Sequence, residues 1–597
     1  MRFKMQSNPV FLDSECYSNY YLIIFKWLDG REEHFVRDEH NVLDAVKISK
    51  ILNNNLTVGF NSRFYDIPLL LYALRENADN TNIKTMSNSL IPDKKLEKVG
   101  LVPSNYDVIK ANNLWCPFEY DHIDIMKVAT GTVGLKMYGA RIGTVNLQDM
   151  PYEHTKVLDK SEKEELRKYC INDIIITRDL YFELQEAINF RIEIGEKYNF
   201  DCRSFADAKV AESLLVSQLP PFKPLLNSFD FKYEPPHYIG FKTQELNDLL
   251  YKFMDYEFKG KRGDKFIEDE YLEPVDVGGV KYQCGIGGLH SMEANRTIIG
   301  GDDGYIVDVD VVSYYPTIIL NNRYCPESCD EDSFMEVYNS VYEDRAEAKR
   351  VGDEFKSKTT KLMLNIPFGK FGDEHSKLYS PKALIHTTVT GQLSTLMLIE
   401  DLVEEGFEVV SANTDGITVK VKNDKYKFFR DIVGRWEKLC NFKTEEVKYK
   451  SLHNQSVNSY IAVKENGGVK FKGLFNSSDL SRNPAIKICK DAVLAYIVEG
   501  KRIEDTIQNC DLDPSNFLIV RTVRDGGYWK GNYLGKVVRW YWSLEGEPIV
   551  NPKGHKVAKT EHAYPIMNLK DSLKNIHYEK YIKTTIKLLK DLGVEYE

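Results

Sequence analysis

Asp13-Ser14-Glu15 lies near the end of a strand-like run that begins at Val10. Residues i and i+2 of a strand share a face, so both carboxylates can reach one site. Two later segments extend this set. Gly59-Phe60-Asn61-Ser62-Arg63-Phe64-Tyr65-Asp66 places an Asp at the start of a helix after a buried strand. Tyr169-Cys170-Ile171-Asn172-Asp173 puts a Tyr and an Asp four apart on one helical face. Hard Mg²⁺ or Mn²⁺ ions prefer carboxylate oxygens. Four such groups can hold two ions, one activating water and the other stabilising a leaving oxygen.

A second constellation follows some 300 residues on. Val307-Asp308-Val309-Asp310-Val311 reads as a buried strand with Asp308 and Asp310 on one face, running into Val312-Ser313-Tyr314-Tyr315-Pro316-Thr317. Ser411-Ala412-Asn413-Thr414-Asp415-Gly416-Ile417 reads as a hairpin tip between apolar strands. A strand-borne Asp and a hairpin-tip Asp suit two metal ions that bridge a hydroxyl and a triphosphate. Lys361-Leu362-Met363-Leu364-Asn365-Ile366-Pro367-Phe368-Gly369 reads as a helix broken by its proline. Arg345 and Lys349 stack on one helical face, where they repel unless a polyanion sits between them.

The elements that must carry these residues alternate in type. The first ~200 residues look α/β: strands at Val10–Asp13 and Tyr20–Lys26, a strand–loop–helix passage over Thr57–Leu74, and a charged helix over Ser161–Ile194. Ser161-Glu162-Lys163-Glu164 matches a capping box at that helix's start. Leu219-Pro220-Pro221-Phe222-Lys223-Pro224 is the best linker candidate, because consecutive prolines continue neither helix nor central strand. Gly285–Gly288 punctuates the chain before a strand at Tyr305–Val312. Helical patterns occupy 332–365 and 386–405, hairpin strands 407–412 and 416–422, and a Lys-rich amphipathic helix 578–592.

Composition excludes several classes. With 43% hydrophobic and 28% charged residues the chain is globular rather than disordered. Its length of 597 residues predicts several domains. The longest apolar runs, such as Ile67–Ala73, fall far short of the ~18 residues that span a bilayer. Met1-Arg2-Phe3-Lys4 lacks the apolar core of a signal peptide. Ten cysteines over this length make no disulfide scaffold, and Cys325 and Cys329, the close pair, read as isolated thiols. A net charge of −10 excludes a generic polyanion binder, so any nucleic-acid contact must come from local basic surfaces. One such surface is 521–559, with eight Lys/Arg against three Asp/Glu. Its interleaved Tyr528, Trp529, Tyr533, Trp540, Tyr541 and Trp542 are expected to form a core, and its basic residues to grip duplex phosphates.

The first three segments resemble, in order and spacing, the exonuclease motifs of family B DNA polymerases: Asp-x-Glu, then Asn with an Asp five residues on, then Tyr-x-x-x-Asp. The resemblance implies that Asp13, Glu15, Asp66 and Asp173 carry metals, that Tyr169 orients the attacking water and that Asn61 touches the primer strand. His122-Ile123-Asp124-Ile125-Met126 looks like the family's supporting strand before the third motif. The later segments resemble polymerase motifs A, B and C. They imply Asp310 and Asp415 as metal ligands, Arg345, Lys349, Lys361 and Asn365 at the nucleotide, and Tyr315 as the gate that excludes a ribose 2′-hydroxyl. This sequence departs from the pattern at Asn413, where the family has Asp, and at Phe368, where it has Tyr. An amide oxygen can still coordinate a cation, but without the carboxylate charge. The family's Lys-x-Tyr appears as Asn458-Ser459-Tyr460, with Lys470 and Lys472 on the next strand; Tyr460, Lys470, Lys472 and Arg539 are the candidate DNA contacts.

The expected fold is α/β and α+β multidomain: an RNase H-like exonuclease domain plus a right-hand polymerase. The boundaries expected are 1–200 for the exonuclease, 201–300 for a connecting region and start of the palm, 301–335 for palm with motif A, 336–372 for fingers, 373–480 for palm with motif C, and 481–597 for a thumb. The function implied is template-directed DNA synthesis from dNTPs with 3′–5′ proofreading, using Mg²⁺ (or Mn²⁺), two per active site. Because the first motif begins at residue 13, the N-terminal domain of larger relatives is expected to be absent, as in compact phage enzymes. Residues 318–344 and 370–412 leave no room for the insertions of protein-primed relatives, so a nucleic-acid primer is expected and no terminal protein. Primer–template DNA and dNTPs are the expected partners, with a helicase, primase or single-strand binding protein as further candidates, no membrane, and a cytoplasmic location, that of the host if phage-encoded.

Overall fold

A computed structural model describes residues 8–98, 100–266, 273–293, 295–476 and 480–597. The chain forms two compact units. The first comprises Met1–Ala206, Ser477–Ala492 and Glu504–Lys583; the second comprises Asp207–Asn476, Val493–Ile503 and Thr584–Glu597.

In the first unit, β1 (Val10–Tyr17), β2 (Tyr20–Trp27), β3 (Glu32–Arg37), β4 (Thr57–Gly59) and β5 (His122–Asp124) form a mixed sheet in the order β3-β2-β1-β4-β5. β1 and β2 are antiparallel, while β1, β4 and β5 run parallel. Both faces are covered. Leu12, Cys16 and Ile23 pack with Ile67, Leu70 and Ile83 on one face, and Phe11, Tyr17 and Leu22 with Leu166, Ile174 and Leu180 on the other. Two-sided burial explains why Tyr20–Phe25 reads as an unbroken apolar run rather than an alternating one. The charged helix is two helices, Lys160–Glu183 and Gln185–Tyr198. Its capping box is Asp159 with Glu162, two residues before the expected pair, and Ser161 donates to Asp159 instead. The sequence offers both pairs. The Asp carboxylate is charged where the helix N-terminus presents its positive dipole end, which favours it over the hydroxyl.

The second unit begins with a small pair, β6 (Ser228–Phe231) and β7 (Phe258–Lys261). Its main sheet collects β8 (Val275–Val277), β9 (Val280–Gln283), β10 (His290–Ser291), β11 (Arg296–Ile299), β12 (Gly304–Val311), β13 (Glu408–Asn413), β14 (Gly416–Lys422), β15 (Thr444–Ser456), β16 (Ser459–Lys464) and β17 (Val469–Lys472). Their order is β17-β16-β15-β12-β14-β13-β10-β9-β8, with β11 also paired to β15. The helix Pro381–Glu404 is buried along nearly its whole length against this sheet. It starts earlier than the expected 386 because Ser380 caps it and Pro381 fills its first position.

Two helices, Glu331–Val351 and Glu354–Phe371, replace the single expected pattern over 332–365; Gly352, at φ 75°, ends the first. Contrary to expectation, the second runs through Pro367 unbroken. A proline inside a helix costs about 3 kcal/mol. Here Met363, Leu364, Pro367 and Phe371 are all buried, and burying one such large apolar side chain returns about 1.5–3 kcal/mol.

The first unit is completed by β18 (Ile519–Trp529), β19 (Asn532–Trp542) and β20 (Ala563–Pro565). Trp540, Tyr541 and Trp542 are buried there, as expected of core aromatics, but Tyr528 and Trp529 are half-buried and Tyr533 is exposed, so the outer half of the hairpin is not core. Among the described residues no cysteine forms a disulfide. Among the described residues, no helix is long and apolar enough to cross a membrane.

Candidate active sites

The first unit gathers one acidic centre. Asp13 and Glu15 leave β1 toward the face covered by the helix Lys160–Glu183, which carries Tyr169 and Asp173 one turn apart. Carboxylate oxygens of Asp13, Glu15 and Asp173 lie within 4.8 Å of one another. Asp66 opens the helix Asp66–Ala73 beside this trio; Ser14 Oγ donates to its Oδ1 at 2.6 Å. Burial, and then the charge of Glu15, lifts the Asp13 pKa to about 8. Burial likewise lifts Glu15 to about 8, with Lys136 opposing and Asp66 adding to the rise. Asp66 is raised well above the carboxylate range by burial and by Asp13.

Lys136, which the sequence did not single out, belongs to this centre. It sits at the start of the helix Leu135–Arg141, its Nζ pairs with Asp173, and it lies 4.1 Å over the Tyr169 ring. Burial lowers its pKa to about 8, against the pull of Asp13 and Glu15. A lone lysine after Thr132-Val133-Gly134 carries no motif, so only the fold reveals it. Asn61 stands in the left-handed region at φ 59°, and its backbone N–H donates to Asp124 Oδ1 at 2.9 Å. Arg63 N donates to the other oxygen at 3.0 Å, so β5 supports the Asn61–Asp66 turn, the part read for the strand at His122–Met126.

The second unit holds a cleft of about 260 Å³ lined by Asp310, Asn413, Asp415, Tyr460, Lys470 and Lys472, among others. In the antiparallel pairing of β12 with β14, Asp310 stands opposite Gly416. A Cβ on Gly416 would overlap Asp310 Oδ1, so glycine lets this carboxylate lie against the hairpin tip. Thr414 takes the left-handed conformation at φ 60°, and the tip is fixed by Thr414 N to Leu289 O (2.7 Å) and Val311 N to Asp415 O (2.8 Å). Burial, then Asp308, raises Asp310 to about 6, and burial raises Asp415. Asp308 is itself satisfied by Thr418 Oγ1 (3.0 Å), Tyr449 OH (2.7 Å) and Lys470 Nζ (2.9 Å). Lys470 is therefore part of this carboxylate cluster.

Of the expected nucleotide residues, Tyr315 feels the charge of Asp415 at this cleft. Tyr315 stacks on Phe368 at 3.9 Å and 16°, and its hydroxyl donates to Gly287 O. Tyr314 beside it is core, bonded to Gly391 O and to Thr395 Oγ1. Lys349 Nζ lies 3.8 Å from Glu445, the β15 residue opposite Asp310, and Glu445 also acts on Arg345. Lys361 and Asn365 are exposed along the helix that carries Phe368. Asn413 Nδ2 donates to Val457 O (3.2 Å) and Asn458 Oδ1 (3.3 Å), a task no carboxylate could perform.

Arg539 is the correction. Expected at DNA phosphates, it is completely buried, and its guanidinium donates to the carbonyls of Thr144, Val145, Ile566 and Met567. Burial without a carboxylate partner lowers its pKa to about 10. Four carbonyl acceptors make this burial tolerable.

Both donor sets fit hard divalent cations. They are oxygen-only, desolvated in the first unit and partly so in the second, and incompletely neutralised by the lysines beside them. No protein-family model and no curated protein matches the chain. Among solved structures the chain is similar to the family B DNA polymerase from the hyperthermophilic archaeon Pyrobaculum calidifontis, at 14% identity and a TM-score of 0.41, over 98% of this chain and 78% of that one.

Proposed function

We propose that the chain is a DNA-directed DNA polymerase of family B type with a 3′–5′ exonuclease, of the compact phage kind, extending a nucleic-acid primer. The observation that carries this reading is the cleft at β12–β14. There a strand Asp and a hairpin-tip Asp line one cleft, with a glycine opposite the first, lysines of β17 in the same lining and a stacked Tyr–Phe pair on which Asp415 acts. The separate acidic centre of the first unit supports the proofreading half, and its strand order supports an RNase H-like sheet.

On this reading Asp310 and Asp415 hold the polymerase cations, and Asp13, Glu15, Asp66 and Asp173 the exonuclease cations. Bound divalent ions would polarise phosphoryl oxygens and activate the attacking hydroxyl or water. Lys470 keeps Asp308 fixed behind Asp310. Arg345, Lys349 and Lys361 neutralise the triphosphate, and Asn365 lines its approach. The Tyr315 ring, flat on Phe368, fills the space of a ribose 2′-hydroxyl. In the exonuclease, Tyr169 orients the attacking water and Lys136 keeps Asp173 in place. Residues 318–344 and 370–412 are filled by helices and β13, which supports initiation from a nucleic-acid primer.

Primer extension with Mg²⁺ tests the proposal. Full extension with four dNTPs, a stop where one is omitted, and primer shortening without dNTPs are expected. Shortening without extension would leave a nuclease alone, and neither activity would leave a binding scaffold.

A further inference from the structure

Beside the acidic centre of the first unit lies a second cavity, of about 470 Å³. Met150, Pro151 and Tyr152 line one side, and Tyr528 and Tyr533 of the β18–β19 hairpin line the other. Resting on the exonuclease reading above, we propose that this cavity takes a nucleobase from the 3′ end of the single strand being degraded.

Its position follows from bonds that tie both walls to the acidic centre. Tyr17 ends β1 two residues beyond Glu15, and its hydroxyl donates to Tyr152 O at 2.9 Å. Asp149, at the cavity's edge, acts on both Lys136 and Tyr169. The hairpin is fastened to the same loop. Tyr533 OH (2.7 Å) and Lys536 N (3.0 Å) both donate to Asp149 Oδ2. Gly535, at φ +104°, brings its backbone so close that a Cβ would lie 2.8 Å from Asp149 Cβ. Arg539 binds the carbonyls of Thr144 and Val145 on this loop to those of Ile566 and Met567.

Its chemistry selects the base over the backbone. The Tyr528 and Tyr533 rings stand 5.2 Å apart at 53°, and Tyr533 is 47% exposed. Asp149, Glu153 and Asp525 add negative charge to the lining, against Lys536 and the imidazole of His154, a balance that disfavours phosphate. Aromatic and apolar walls accept the face of any base, and only an unpaired strand end offers such a face.

The test uses the full chain and a single-stranded oligonucleotide with 2-aminopurine at one of its three 3′-terminal positions. With EDTA preventing cleavage, binding should quench the fluorescence of at least one position. Y528L should abolish that quench and raise the KM of single-strand degradation about tenfold, a typical loss for one stacked base. Its kcat should stay within about twofold and its primer extension should be unchanged, a split that general unfolding cannot produce. Y528F should keep the wild-type KM, since it keeps its ring. No quench at any position in the wild type overturns the proposal. So does an unchanged KM in Y528L, or a loss of extension in step with degradation. A wild type that quenches yet never degrades the strand would remove the exonuclease reading and leave the base site standing.

Discussion

Asn413 and Asp415 sit two residues apart on the same hairpin tip and do different work. Asp415 lines the cleft with Asp310 and acts on it, whereas the Asn413 amide holds the turn at Val457–Asn458. Asp415→Ala should therefore lower extension by several orders of magnitude, and Asn413→Ala by no more than about tenfold, the scale of one or two lost hydrogen bonds. Steady-state extension rates for both variants check this, and equal losses would make Asn413 a ligand. Tyr315→Val should raise ribonucleotide incorporation, because the ring on Phe368 is removed while Tyr314 stays locked in the core. The measured ratio of rNTP to dNTP incorporation decides it. Lys136→Met should lower strand degradation about 10²-fold or more, since a preorganised charge at the reacting centre is lost. Extension should persist, because Lys136 belongs to the other unit's centre. Loss of both activities would show a fold defect instead.

Among elements, the Arg539 strand shows what sequence could and could not reveal. Strands β1, β2, β13 and β14 were legible, because apolar runs between turn residues announce them. So was the convergence of the carboxylates at 13, 15 and 173, and of those at 310 and 415, since their spacing on strands, a helix and a turn fixes their faces. Arg539 was not: on β19 an exposed and a buried arginine look alike until the four carbonyls arrive from 144–145 and 566–567. Lys136 escaped for the same reason, since its partners lie on other elements. Pro367 misled because local propensity yields to packing. The pairing of β12 between β14 and β15 was equally hidden, being set by contacts far apart in sequence. Arg539→Met should destabilise the first unit by about 3–5 kcal/mol, the cost of stranding buried groups after removing one partner. Thermal unfolding followed in that unit should show the drop.

For the whole molecule, the two acidic centres couple stability to pH and to cations. Asp13 and Glu15 rise to about 8 and Asp310 to about 6, from ordinary values near 4. Carboxyls raised on folding favour the protonated state, so their contribution is fully present below about pH 4 and is lost as pH climbs toward 8. Lys136, lowered to about 8, adds no slope below that value. Cations bind the ionised form and should restore what is lost. Mg²⁺ should therefore raise the melting temperature by several degrees more at pH 8 than at pH 5. Calorimetry in chelator and in Mg²⁺ checks this, and a D13N/E15Q variant should lose much of the difference.

The first unit is discontinuous: its opening 206 residues pack with Glu504–Lys583, and 297 residues, all belonging to the second unit except Ser477–Ala492, are translated between them. At about 5–20 residues per second, the early segment waits on the order of 15–60 s for its partner to be made. Throughout that interval Met137, Ala140 and Leu147, which in the finished protein pack against Val520, have no such cover. A sticky patch of this kind recruits holding chaperones or neighbouring nascent chains. Ribosomes stalled or messages cut anywhere before residue 504 would release a first unit with that patch bare, so the yield of active protein should depend on how quickly the codons for 504–583 are read.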